Sequence, residues 1–507
     1  MRRPPMGILC AAALGALSIT PPAASASSPT APPARCAALQ VTSYQPNGTR
    51  TLATGPFPSA PEDVLPQDSW RAVASGRGVW HDPSTWVNGA GGFGVPDAGD
   101  VVWIPAGVTV ELSARAPEQV PTSPAFGATR FWPGYRLVRI DGELRFASEI
   151  DTELSADTVF VSPTGTLRAG AAQQPVSTSA ICRLTILPEV DTSAGSPTPA
   201  PIDPAWDPGE RSRGLIAMGE VHLFGDPRQH VVTVPTDVRP RAGLATPLIQ
   251  VQPEWNWQTG DEVALAGTAF TRGATDSDPL MDERFRIELA GTTAIAPPGT
   301  LTKKHIRATN PSTGMPFPLH LVHLERNVII GSGWPQLFPG EPMPLAARGH
   351  FMFSDGAAGG TRFVHLEHVR FDELGRTDKS IPLDDIEVEI EMFDTHRTYA
   401  VHAAPGLASS SHATPIRNRR GRYAVHFHVN GNVLPLPARK RVVGCVVTGT
   451  PGWGFVNHSS HVDFIDCVCH DFAGSAFVTE SGDEVGRFEG CVAMHGTGIY
   501  HETPGSG

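Results

Sequence analysis

The sequence predicts an all-β protein, a right-handed parallel β-helix preceded by a separate all-β domain. Three observations carry this reading. The C-terminal part repeats itself: Cys445-Val446 returns as Cys467-Val468 after 22 residues and as Cys491-Val492 after a further 24. Gly452 and Phe455-Val456 return in step as Gly474 and Phe477-Val478. A period in the low twenties without helical spacing is that of one coil in a β-solenoid. Composition agrees, because 52 Gly and 49 Pro with only 18% charged residues favour many short strands and turns over long helices. Short runs of alternating hydrophobicity bounded by glycine recur along the whole chain.

Residues 1–26 read as a secretory signal, with Arg2 and Arg3 ahead of an apolar run from Met6 to Ile19 and an Ala24-Ser25-Ala26 cleavage site. That run is too short to span a membrane, and no other stretch approaches one. Cleavage removes two arginines and takes the net charge from −12 to −14. Such a balance argues against nonspecific binding to nucleic acid or to anionic membranes. The expected setting is therefore outside the cell. Six cysteines remain there, Cys36, Cys182, Cys445, Cys467, Cys469 and Cys491. Either Cys445 and Cys467 pair between neighbouring coils, or they form an unpaired inward ladder.

Residues 27–69, rich in Ala, Pro, Ser and Thr, read as a flexible leader. Ordered sequence begins at Trp70, and residues 70–205 are assigned to the N-terminal β domain. It holds Trp80-x-Asp82-x2-Thr85-Trp86, then Pro96-x2-Gly99-Asp100-x-Val102 and Ile104-Pro105-x-Gly107. Residues 206–507 are assigned to the β-helix, with 376–418 as an inserted loop carrying Asp384, Asp385, Glu387, Glu389 and Glu391. Gly507 falls in mid-repeat with no cap pattern, so the stack either continues or ends unprotected.

These N-terminal motifs resemble the G-eight domain of fibrocystin and of the secreted and cell-surface hyaluronidases of the cell-migration-inducing and transmembrane type. The resemblance continues through Gly214–Gly225, Trp257-x2-Gly260-Asp261-x-Val263, Arg326–Ile330, Gly421-Arg422-Tyr423-x-Val425-His426-Phe427-His428 and Phe477-Val478-Thr479-Glu480-x-Gly482. It covers roughly residues 70–500, and the chain looks like a secreted, bacterial-like member of that group. It departs from the pattern at Ser332, where the relatives have glycine, and in the length of the 376–418 insertion. The resemblance implies depolymerisation of a hyaluronan-like polymer.

Site candidates follow from the coil register. Side chains alternate on a strand, so Tyr423, Val425 and Phe427 are expected inward and Arg422, His426 and His428 outward. Laying Val425–His428 on Phe455–His458 puts His428 over His458, and the next step puts His458 over Glu480. The expected exposed column is His428, His458 and Glu480, with His426 beside it. These four are the catalytic candidates. For glycoside hydrolysis Glu480 is the candidate acid, with Asp483 or Glu484 as second carboxylate, and histidine is able to replace one of them. The same His428, His458 and Glu480 suit one divalent ion such as zinc, manganese or iron; no organic cofactor is expected. Arg419, Arg420 and Arg422, with Arg417, Arg439, Lys440 and Arg441 near them, point to an acidic polysaccharide as partner, since guanidinium forks match carboxylates. Hydrolysis leads, a lyase is second, and a non-catalytic polysaccharide-binding or adhesion protein is the alternative. Asp282-Glu283-Arg284 resembles an acidic pair in the relatives, but Asp282 is expected to lie on a solvated face. Asp261 is expected to fix a turn, and the two Val-His-Leu-Glu strings around His323 and His365 to be two coils of one wall. Asn457-His458-Ser459 fits the glycosylation pattern.

Overall fold

The computed structural model describes residues 69–73, 77–125, 127–202, 207, 210–268, 281–354, 362–380, 418–432 and 440–497. The expected signal peptide, the leader up to residue 68, the acidic part of the 376–418 insertion, Arg417 and Arg439 lie outside them.

Among the described residues the chain winds around three parallel ladders. The first joins Trp70–Ala72, Val101–Ile104, Tyr135–Ile140, the second half of Thr152–Val161, Gly214–Ala217, Phe351–Phe353, Val425–Gly431, the first half of Phe455–Ile465 and Phe477–Thr479. The second begins at Arg77–Val79 and Thr109–Leu112 and ends at Lys440–Val443, the second half of Phe455–Ile465 and Val485–Glu489. The third runs from Arg115–Ala116 through Cys182–Ile186 and Val328–Ser332 to Val446–Thr450, Val468–Phe472 and Val492–Gly496. Each circuit visits the three in the same order, which makes the protein a parallel β-helix.

Alternation dictates the core. Along the second ladder Val110, Leu112, Leu144, Phe146, Leu167, Val221, Leu223, Val364, Leu366, Val442, Val462 and Phe464 point inward and are buried. Glu143, Arg145 and Arg168 stand outward, and Glu143 pairs with both arginines. Each buried Leu or Phe contributes about 2 kcal/mol of apolar transfer. One apolar core runs from Ala72 to Ala476, passing position 205 without a break. Aromatic rings extend it from coil to coil, with Phe455 stacked on Phe477 at 5.3 Å and 6°. Cys445 and Cys467 are free thiols in that core, with Cys491 one coil on, so of the two sequence alternatives the unpaired ladder is the one observed.

The glycine-rich turns have a steric cause. A Cβ on Gly165 would lie 2.0 Å from the Ile140 carbonyl oxygen, and one on Gly219 would lie 2.2 Å from the oxygens of Gly165 and Ser162. Each turn rests directly on the turn beneath it. Trp80 and Trp86 pack edge to face at 4.9 Å over Tyr135 near the first coil.

Residues 231–323, placed by sequence within the β-helix, form a separate antiparallel module. Val231–Val234, Leu319–His323, Glu262–Leu265 and Glu283–Arg286 make one sheet, and Thr246–Gln250, Thr293–Ala296 and Glu288–Ala290 another. Val234, Val263, Leu265, Ile287, Ala294 and Leu321 give the module its own core. Its strands carry the same alternation as the coils, which is why composition did not separate them. For the same reason the two Val-His-Leu-Glu strings are not one wall: His323 belongs to the module and His365 to the second ladder.

Candidate metal and substrate site

The site is assembled by three successive coils of the first ladder. Val425 pairs with Phe455 and Phe455 with Phe477, so His428 pairs with His458. The Glu480 amide then donates to the Asn457 carbonyl at 3.0 Å, which sets its side chain beside them. Val425, Phe427 and Phe455 point into the core, as alternation requires. Tyr423 does not follow that expectation. It precedes the strand and packs outside the helix with Trp453, Val456 and Val478.

The four side chains converge. His428 Nδ1 lies 3.1 Å from His458 Nδ1. Glu480 Oε2 lies 3.4 Å from His458 Nδ1 and 3.5 Å from His426 Nε2. The rings of His426 and His458 are nearly parallel, 5.9 Å apart. His426 Nδ1 donates to the Gly421 carbonyl at 2.9 Å, leaving Nε2 turned toward Glu480. Neither His426 Nε2 nor Glu480 Oε2 has a hydrogen-bond partner, although both atoms are buried.

The expected open exposure is corrected by the structure. His426 is 1% exposed and Arg422 8%, while the side chains of Glu480 and His458 keep 14% and 24%. The cause is a cover made by residues 376–380 and 418–424, in which Lys379 Nζ sits 3.8 Å over the Trp453 ring and Thr377 Oγ1 donates to the Arg419 carbonyl. Asn457 is also buried and donates to the Val485 carbonyl, which closes it to a glycan.

Burial pushes the His428 imidazole well below its usual pKa, and the neighbouring His426, His458, Arg211 and Arg422 act in the same direction. Burial lowers His458 too, against the attraction of Glu480. Burial works to raise the Glu480 carboxyl, but His426 and His458 hold it below the usual carboxylate value. The balance leaves the Glu480 carboxyl on the low side of its usual value. Glu484 accepts the amides of Ser459, Ser481 and Gly482, and Asp483 accepts from Asn432. Both candidate second carboxylates are thus tied into the turn.

Imidazole lone pairs and an ionised carboxylate are the donor set of a first-row transition ion. With bonds of 2.0–2.1 Å, tetrahedral donors lie about 3.3 Å apart. The separations of 3.1, 3.4 and 3.5 Å bracket that figure. The nitrogens of His426, His428 and His458 all fall within 4.8 Å of one another. His426, with its unpartnered Nε2, thus joins His428 and His458 in one group, and Glu480 Oε2 approaches it at His426 and His458.

The arginines divide. Arg422 donates to the carbonyls of Glu210 and Arg420, so it pins the cover in place. Arg419 approaches Glu210 at 3.8 Å, Arg420 is half-buried, Lys440 is buried under Phe353 and Arg441 is exposed on the second ladder. Sequence reading passed over Arg211. Its Nη1 is buried without a hydrogen-bond partner. Burial and the charge of Arg422 push its pKa down to about 10, and its charge acts on His428. The basic pair Arg211 and Arg213 just ahead of Gly214 was the available signal. Asp261 does fix its turn, accepting the Gln258 amide, but it also binds Arg228 through both oxygens and His323 at 2.8 Å.

No helix among the described residues is long and apolar enough to cross a membrane. No curated protein matches the chain at a significant level. Among solved structures it is similar to the tailspike of Acinetobacter baumannii bacteriophage AP22, solved with A. baumannii capsular saccharide, at 9% identity and a TM-score of 0.15. The match covers 69% of this chain and 45% of that one, so the chain spans less than half the tailspike's length. Residues 85–234 match the G8 domain, so the chain carries a G8 domain that reaches past Ala205 to the first strand of the antiparallel module.

Proposed function

We propose that the protein is a secreted, carbohydrate-active enzyme that shortens a hyaluronan-like or other uronate-containing polysaccharide by hydrolysis. The reaction splits a glycosidic C–O bond with water, sending hydroxyl to the anomeric carbon and a proton to the leaving oxygen. The observation that carries this reading is the convergence of His426, His428 and His458, with Glu480 against His426 and His458 and two buried atoms lacking partners. These four residues would hold one divalent ion, which supplies Lewis acidity and a bound water of lowered pKa. Gly421 holds the His426 ring in one tautomer. Arg211, with Arg419 and Arg420, would take a uronate carboxylate: Arg211 Nη1 is buried without a hydrogen-bond partner, and an anion would supply one.

One observation favours a second reading. In a lyase Glu480 would take the proton α to a uronate carboxyl in place of binding the ion, and His426 and His458, which hold its carboxyl below the usual value, favour that role.

The test is metal analysis of the purified mature chain, followed by digestion of a panel of uronate polymers with product sizing and an ultraviolet trace. Shortened chains without new absorbance mean hydrolysis, and absorbance rising with each cut means a lyase. Unchanged length with retained binding overturns the enzymatic reading in favour of an adhesion protein.

A further inference from the structure

A second cluster lies where the antiparallel module meets the β-helix. Asp282 stands one residue ahead of the module strand Glu283–Arg286. It is 8% exposed, which corrects the expectation of a solvated face. Its carboxylate faces two histidines from adjacent coils, His470 on Val468–Phe472 and His495 on Val492–Gly496. His495 Nδ1 lies 3.0 Å from both Asp282 oxygens, and His470 Nε2 lies 3.4 Å from Oδ2. The two rings stack at 5.4 Å and 22°.

His470 is the telling residue. It is 3% exposed, yet neither ring nitrogen makes a hydrogen bond. A buried imidazole with two idle nitrogens is expensive unless something else fills its lone pair. The donor atoms of Asp282, His470 and His495 lie within 4.8 Å of one another. Separations of 3.0 and 3.4 Å again match donors sharing one ion with bonds near 2.1 Å. Around the cluster, Ala264 and Val322 of the module, with Leu324 just after it, pack on Val446 and Val468 of the coils. The three donors therefore come from both sides of one apolar contact.

We infer that Asp282, His470 and His495 form a second transition-metal site, a staple that locks the antiparallel module onto the last coils. Two imidazoles and one carboxylate suit zinc, iron(II) or manganese and leave positions open for water, and half-buried His495 gives the ion its route in. The site is separate in residues from the His428–His458 centre, and neither depends on the other.

The experiment uses the mature full-length chain, stripped of metal and titrated with zinc, with cobalt as a visible reporter. In a His428→Ala/His458→Ala background the first centre is gone, and roughly one tight equivalent should remain. Adding His470→Asn/His495→Asn should abolish that equivalent and the cobalt absorbance. His495→Gln alone, a change at the half-buried edge, should weaken zinc binding at least tenfold in a protein that still folds. Zinc should also slow hydrogen exchange in Glu283–Arg286 and Val468–Phe472 together. A His428→Ala/His458→Ala protein that binds no zinc overturns the inference, as does undiminished stoichiometry after His470→Asn/His495→Asn. Loss of zinc from the first centre alone counts only against the proposed function.

Discussion

Glu480→Gln is the sharpest perturbation of the first centre, because it keeps the side-chain volume and removes only the charge and one donor. Three imidazoles remain, so binding should weaken without vanishing. Losing even an outer-shell partner costs a metal site about 10- to 100-fold, and a ligand in direct contact should cost at least the upper figure. At free zinc about 100 times the native dissociation constant, the ion adds about 2.7 kcal/mol to stability. A 100-fold weaker site adds about 0.4 kcal/mol at the same concentration. The difference, about 2.3 kcal/mol, corresponds to a zinc-dependent melting shift smaller by roughly 2 to 5 °C in a chain this long. The Asp282 site contributes equally to both proteins and cancels. Without metal the two should melt within about 1 kcal/mol of each other, since Glu480 Oε2 has no hydrogen bond to lose. Differential scanning calorimetry with and without chelator measures all four values. An undiminished zinc shift in the Gln variant would refute the assignment of Glu480 as a ligand.

Three further outcomes follow from other parts of the molecule. Gly165→Ala should cost about 3 kcal/mol or more, because its Cβ meets backbone 2.0 Å away, whereas Gly107→Ala, with φ +80° and nothing within 4 Å, should cost only about 1–2 kcal/mol of backbone strain; chemical denaturation separates them. His323 is held neutral at a pKa of about 4, chiefly by burial and then by Arg326 and Arg228, against the pull of Asp261. Its contribution is complete above the unfolded histidine value near 6.5 and is lost as pH falls toward 4, about 3 kcal/mol in all, so His323→Gln should flatten the melting temperature across that window. Arg211→Gln should weaken binding of a uronate polymer, with a shallower salt dependence and no loss of folding; identical salt slopes for the two proteins would remove Arg211 from the substrate site.

The part of the architecture readable from sequence was the part set by strictly local rules. Phe455 and Phe477 repeat because a coil has a fixed length and an inward ring must sit on the ring below. The same spacing forces His428 over His458, and both pairs were found in that register. Exposure was not readable, because alternation says which side a residue faces and nothing about what covers that side. His426 and Arg422 face outward and are buried all the same, under chain that returns from residues 376–380 and 418–424. Arg211 and Asp282 were missed or misjudged for a related reason. Each reaches its partners through contacts between segments far apart in the chain, and no local pattern encodes those.

Both clusters of histidine and carboxylate use the same device. A parallel coil places equivalent residues about 4.8 Å apart along the stack, too far for two donors to touch one ion if their side chains stay parallel. At the first centre the rings of His428 and His458 turn to 74° and bring their nitrogens to 3.1 Å. At the second, the rings of His470 and His495 remain near parallel at 22°, and Asp282 enters from the module to bridge them. Within the stack, then, the ladder alone gathers three donors only where an extra residue joins: His426 at one centre, Asp282 at the other. The first is supplied by the strand itself and lies under a cover that reaches Arg211, which fits a site that meets substrate. The second is supplied by the inserted module, which fits a site whose work is to hold that module in place.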